Sequence, residues 1–201
     1  TSSTAFRLFG FPVHVGAGFW MFMVLIAVTN SSAEGLGTDG AIILAALIAV
    51  FTLIHELGHA VAARATGAKA EITLAFMAGY ASFVPTRALS RWERVGISFA
   101  GPAVQIVTGT ALYLALGGPA EWPIQGLTPA QFGALWAGPV IGLFNLIPIL
   151  PFDGGNILEQ AIDLVAPRHS RRIMIVFTVV VSVGSMVYMA TQPGLRGLVI
   201  F

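Results

Sequence analysis

Apolar positions along this chain gather into long uncharged runs separated by short charged segments. A helix needs about 20 mainly apolar residues to cross the hydrocarbon core of a bilayer. The runs at approximately 16–32, 40–65, 93–117, 129–147 and 171–191 approach or reach that length, the first on the short side. A shorter helical stretch, 153–166, lies between the last two, and its Glu159 and Asp163 could not both face lipid. Its expected course is from mid-membrane to one surface. The stretch 70–85 has a different period: Glu71-Ile72-Thr73-Leu74 alternates polar and apolar, Gly79 offers a turn, and Tyr80 to Val84 returns with aromatic and β-branched residues, which predicts a β-hairpin. Residues 6–15 read as a short amphipathic stretch at the entrance of the first helix. The predicted fold class is an all-α integral membrane protein: one domain over 1–201, with a six-segment transmembrane core and a short β-hairpin after the second helix.

Composition strengthens that reading. Hydrophobic residues make up 56% of the chain and charged residues 9%, with a mean hydropathy of +0.85; an average soluble domain is about 25% charged. The net charge of +1 is spread by position and forms no basic patch, which argues against a nucleic-acid partner. Cysteine is absent, which excludes disulfides, thiolate metal ligands and a cysteine nucleophile. Arg7, Arg64, Lys69, Arg87, Arg91, Arg94, Arg168, Arg171 and Arg172 fall on one side of the predicted segments, and Glu34, Asp39 and Glu121 on the other, with Arg196 against the trend. By the positive-inside rule the expectation is a multi-pass cell-membrane protein with a cytoplasmic N-terminus and an outer C-terminus.

The chemistry stands inside the second run, where His55-Glu56-Leu57-Gly58-His59 interrupts an otherwise uncharged sequence. An ionisable group within a membrane span is costly unless paired or ligated. Positions i and i+4 lie one above the other on a helix, so His55 and His59 can grip one tetrahedral cation while Glu56 sits beside it as a base. Zinc suits such a site, and a catalytic zinc keeps three protein ligands with one position open. Asp153 is the outstanding candidate for the third. It follows Pro148 and Pro151, which break the fourth run, and precedes Gly154 and Gly155, which allow a tight turn. Broken backbone at membrane depth is tolerated where it lines a site. Asp153 also suits the N-cap of the following helix, and the two roles can coexist.

The HELGH on the second segment, followed by Asn-x-x-Pro-x-x-Pro-x-Asp-Gly from Asn145, resembles the site-2 protease family of intramembrane zinc metalloproteases. The six-segment core, the hairpin and Ala100-Gly101-Pro102 in the third segment also fit. The resemblance implies one zinc per chain on His55, His59 and Asp153, Glu56 as general base, and Asn145 as a catalytic residue that positions substrate. It implies cleavage of a transmembrane protein or peptide, within or near the membrane-spanning segment, with lipid as surroundings. The exposed edge of the hairpin is a place to hold such a segment extended. Relatives often carry Asn where this chain has Gln105, an amide for an amide with consequences for packing or substrate contact. No PDZ or CBS module is expected. The competing readings are a catalytically silent zinc-binding protein that holds membrane clients, against which Glu56 speaks, and a transporter, which would need ionisable residues across the whole bilayer. His14 and His169 lie outside metal-like spacing, residues 168–172 suit a topological anchor, and Gly101, Gly109 and Gly184 suit close helix packing. Trp20, Trp92, Trp122 and Trp136 suit an aromatic belt.

Overall fold

The computed structural model describes residues 3–33, 36–76, 78–120 and 125–191. Glu34, Glu121, Trp122 and Arg196, singled out above, lie outside the described residues. The chain divides into two compact units, Thr1–Asn145 and Leu146–Phe201. The first runs β1 (Ser3–Leu8), β2 (Phe11–Gly16), α1 (Ala17–Asn30), α2 (Gly37–Ala65), β3 (Lys69–Ala75), β4 (Ala78–Val84), α3 (Arg91–Ala115), α4 (Pro129–Leu135), a π turn (Trp136–Val140) and α5 (Ile141–Phe144). The second holds α6 (Asp153–Ile162) and α7 (Ser170–Thr191).

The helix ends follow from local chemistry. Asp39 lies in the first turn of α2 and Arg64 in its last, each matching the sign of the helix dipole there. Ser90 and Glu93 form a capping box at the start of α3, and Thr128 and Gln131 form another at α4, with Pro129 in the first turn. Among the described residues, α2, α3 and α7 are long and apolar enough to cross a membrane. At 14 residues α1 rises only about 21 Å against a core of about 30 Å. The predicted fourth run is broken into α4, the π turn and α5, with Pro139 inside the turn lacking an N–H. Exposed Met21, Val24, Leu25 and Val28 on α1, and Val176, Val180, Val183 and Val187 on α7, form apolar surfaces of a kind that suits hydrocarbon.

The all-α expectation needs one correction. The stretch 6–15 is not a loose amphipathic segment but most of a hairpin, and the sheet has four strands in the order β1-β2-β3-β4, with β2 and β3 parallel. The reason is a period of two: Phe11, Val13 and Val15 are buried while Pro12 and His14 between them are only partly so. This buried face joins Phe19, Met23, Ala60, Ile72 and Leu74 in one core, which seats α1 and α2 on the sheet. The expected hairpin after α2 is present as β3 and β4, but Gly79 is not its turn. Gly79 pairs with Leu74, and the chain reverses between Ala75 and Ala78. Burial of Ile72 and Leu74 on the core face sets that register, since a one-residue slip would turn both outward. Arg64 donates to the Phe9 carbonyl at 3.0 Å and stacks over the Phe11 ring at 4.0 Å, pinning the first hairpin to the end of α2.

Candidate metal centre

His55, Glu56 and His59 are all buried on α2, the glutamate as a whole being only 5% exposed. The two imidazoles are buried where α3 comes unusually close. A Cβ on Gly58 would lie 2.6 Å from the Ala100 carbonyl, and one on Gly101 would enter the His59 ring. One turn pair further along, a Cβ on Gly109 would meet the backbone of Gly138 in the π turn. The packing role expected for Gly101 and Gly109 is therefore met. Gly184 does not share it: among the described residues nothing lies within 4 Å of the position its Cβ would take, on an α7 whose surrounding residues are mostly exposed.

The close approach supplies hydrogen-bond acceptors to both imidazoles. His59 Nδ1 lies 2.7 Å from the Ile97 carbonyl, and His55 Nδ1 lies 2.7 Å from Oε1 of Gln105. The Gln105 amide donates through Nε2 to the Ala137 carbonyl at 2.7 Å, so its oxygen is the end that faces His55. A carbonyl only accepts, and each neutral ring therefore carries its proton on Nδ1. Both Nε2 atoms are then lone-pair donors, and they face one another at 2.9 Å. Two lone pairs directed at one point call for a cation, and an Nδ1–H held by an oxygen is the usual support of a metal-bound imidazole. The donor chemistry thus fits a zinc ion. Beside it, an apolar cavity of about 200 Å³ is lined by Phe22, Met23, Ile48 and Thr52 and reaches Gln105 and Ala137.

Asn145 closes α5 at the end of the first unit, half-buried, with Nδ2 donating to the Ile141 carbonyl at 3.1 Å. Asp153 opens α6 in the second unit. It is not the N-cap, which is Phe152; as the first helical residue its carboxylate stands at the positive end of the helix dipole. Gly154 and Gly155 do not make a turn either. They lie within α6, where a Cβ on Gly154 would run into the carbonyls of Leu146 and Ile147, and one on Gly155 into Ile149. Close approach of helix to broken backbone is what requires glycine there. Pro148 and Pro151 do break the helix, and the freed Leu150 N–H is taken by Thr178 Oγ1 of α7 at 3.0 Å. His14 lies in β2 and His169 on an exposed turn before α7.

Gln105 is the buried polar residue whose contacts the sequence reading undervalued. An amide only 2% exposed in the middle of an apolar helix has to be hydrogen-bonded, and the sequence signalled only that an amide stood there, not its partners.

The model described as peptidase family M50 matches residues 43–121 and 120–190. Among curated proteins, a putative zinc metalloprotease of Synechocystis is 31% identical over 179 residues, covering 84% of this chain and 46% of that protein. A zinc metalloprotease of Methanocaldococcus jannaschii is 31% identical over 161 residues, covering 79% and 44%. The chain thus spans less than half the length of the curated relatives it matches. Among solved structures, the site-2 protease from Methanocaldococcus jannaschii aligns with a TM-score of 0.62 and 26% identity, over 94% of this chain and 83% of that one.

Proposed function

This chain belongs to peptidase family M50, and on that premise we propose that it is a zinc-dependent intramembrane endopeptidase, cutting peptide bonds within or near the transmembrane segments of other proteins. The observation that carries the reading is the pair of Nε2 lone pairs 2.9 Å apart, each ring held through Nδ1. His55 and His59 are two of the zinc ligands and Asp153 is the third. Support for Asp153 comes from its carboxylate chemistry, its place after the helix break, and the family motif that begins at Asn145. When bound, zinc polarises the scissile carbonyl and lowers the pKa of its water toward about 7.

Glu56, next to His55 on α2, takes a proton from the attacking water and hands it to the leaving amine. The carbon–oxygen bond forms, the carbon–nitrogen bond breaks, and the products are a carboxylate and an amine. Asn145 positions the substrate. A helical substrate hides its carbonyls in hydrogen bonds and has to unwind, and the outer edge of β4 is suited to hold it extended by main-chain pairing.

The six apolar segments are seated in the bilayer with the N-terminus in the cytoplasm. His59 lies five residues before Arg64, so the site is about 7–14 Å beneath the cytoplasmic surface at 1.5 Å of rise per residue.

Metal analysis and cleavage of a membrane-protein substrate, in detergent, test the reading. Wild type is expected to hold about one zinc per chain. Glu56→Gln is expected to keep it and lose cleavage by about 10²-fold or more. Asp153→Ala is expected to lose the metal. Folded wild type that takes up no zinc when it is supplied overturns the proposal.

A further inference from the structure

On α3 the buried residues Ile97, Gly101, Gln105, Gly109 and Tyr113 recur every four positions, along one ridge that winds slowly around the packed face of the helix. Each of the middle three has a separate task on that face. Gly101 admits the His59 ring, Gly109 admits the π turn at Gly138, and Gln105 between them bonds both His55 and Ala137. In a regular α-helix the Ala137 carbonyl would accept from the Ile141 N–H. Here that N–H goes instead to the carbonyls of Trp136 and Gly138, and the Ala137 oxygen is met by Gln105.

We infer that Gln105, anchored to the π turn, is a positioning residue that holds His55 in its Nδ1–H tautomer and turns Nε2 toward the metal. A neutral imidazole has two tautomers, and only the one with a bare Nε2 ligates at that nitrogen. A lone carboxamide beside His55 could present either end. The Ala137 carbonyl removes that freedom, because it accepts only from the amide nitrogen and so leaves the oxygen for His55. The irregular turn in one helix thereby decides the protonation pattern of a ring on another. Glutamine also has the reach to make both 2.7 Å bonds from α3.

The inference rests on the zinc reading of the site, and the test separates the two. Zinc affinity is measured on the full chain in detergent by competition with a chromophoric chelator, for wild type, Gln105→Met and Gln105→Glu, with the visible spectrum of the Co(II)-loaded proteins as a report on ligand geometry. Met keeps the length but offers His55 no acceptor; Glu presents an oxygen whether or not it is protonated. Gln105→Met is expected to bind zinc about 10–100-fold more weakly with an altered Co(II) spectrum, and Gln105→Glu to stay within about threefold of wild type. Met binding as tightly as wild type, or Glu binding as weakly as Met, overturns the role assigned to Gln105. Imidazole ¹⁵N shifts of metal-free wild type give an independent reading that needs no variant: protonation of His55 on Nδ1 is expected, and protonation on Nε2 alone overturns the inference. Zinc binding by wild type with either overturning result leaves the protease reading standing, whereas wild type without zinc binding removes both.

Discussion

Gly101 shows how finely single positions control this site. The His59 ring occupies the space a side chain at Gly101 would fill, so one added methyl group must displace the ring or push α3 away from α2. Overpacking of this kind typically costs about 1–3 kcal/mol. Gly101→Ala is expected to weaken zinc binding at least tenfold, as read by chelator competition, while the Ser90–Glu93 capping box leaves the start of α3 unchanged. At this scale the sequence is most informative where chemistry is local. His55, Glu56 and His59 were legible because their i, i+1 and i+4 spacing places them on adjoining faces of any helix. Gln105 was not, because its partners His55 and Ala137 are 50 and 32 residues away. Asp153 was visible as a candidate, yet its assignment to the first turn of α6 and not to the N-cap depended on backbone geometry.

At the scale of elements, the sheet and the broken fourth run carry most of the difference from expectation. Both strand edges of the four-stranded sheet are terminal positions, β1 on one side and β4 on the other. Phe83 is a poor probe of the β4 edge because it packs on Ala63, Ala68 and Ile97. Ala81 serves better: Ala75 and Ala78 close the hairpin as a hydrogen-bonded pair, so alternation along the ladder turns the Ala81 N–H away from β3. Ala81→Pro, which removes one of the outward-facing N–H donors of β4, is expected to lower cleavage of a membrane-protein substrate several-fold, about 1 kcal/mol of pairing, with zinc content unchanged. Unchanged cleavage would show that the substrate does not pair with this strand. The hairpin itself was legible from alternation in residues 70–85. The parallel pairing of β2 with β3 was not, because a register of three pairs, from Val13 with Ile72 to Val15 with Leu74, arises from α2 returning the chain beside its own beginning. Nor was the π turn, since Trp136 to Val140 reads as an ordinary stretch of apolar helix interrupted by Pro139.

For the molecule as a whole, the distribution of arginines makes a topological prediction that its lack of cysteine renders easy to check. Single cysteines at Arg87 and Arg172 are expected to react with a membrane-impermeant thiol reagent only from the cytoplasmic face, and one at Asp39 only from the outer face. Labelling of the first two only from the outer face and of the third only from the cytoplasmic face would reverse the assigned orientation. Hydropathy alone determined that this protein partitions into lipid, where its long helices lie, and that its ionisable cluster sits within one of them, because these properties follow from residue type and short-range period. The tertiary structure alone decided which glycines are obligatory, how α1 and α2 rest on a sheet, and which oxygen faces Nδ1 of each histidine. Those depend on contacts between residues far apart in the chain, at separations of a few ångströms that no local pattern records.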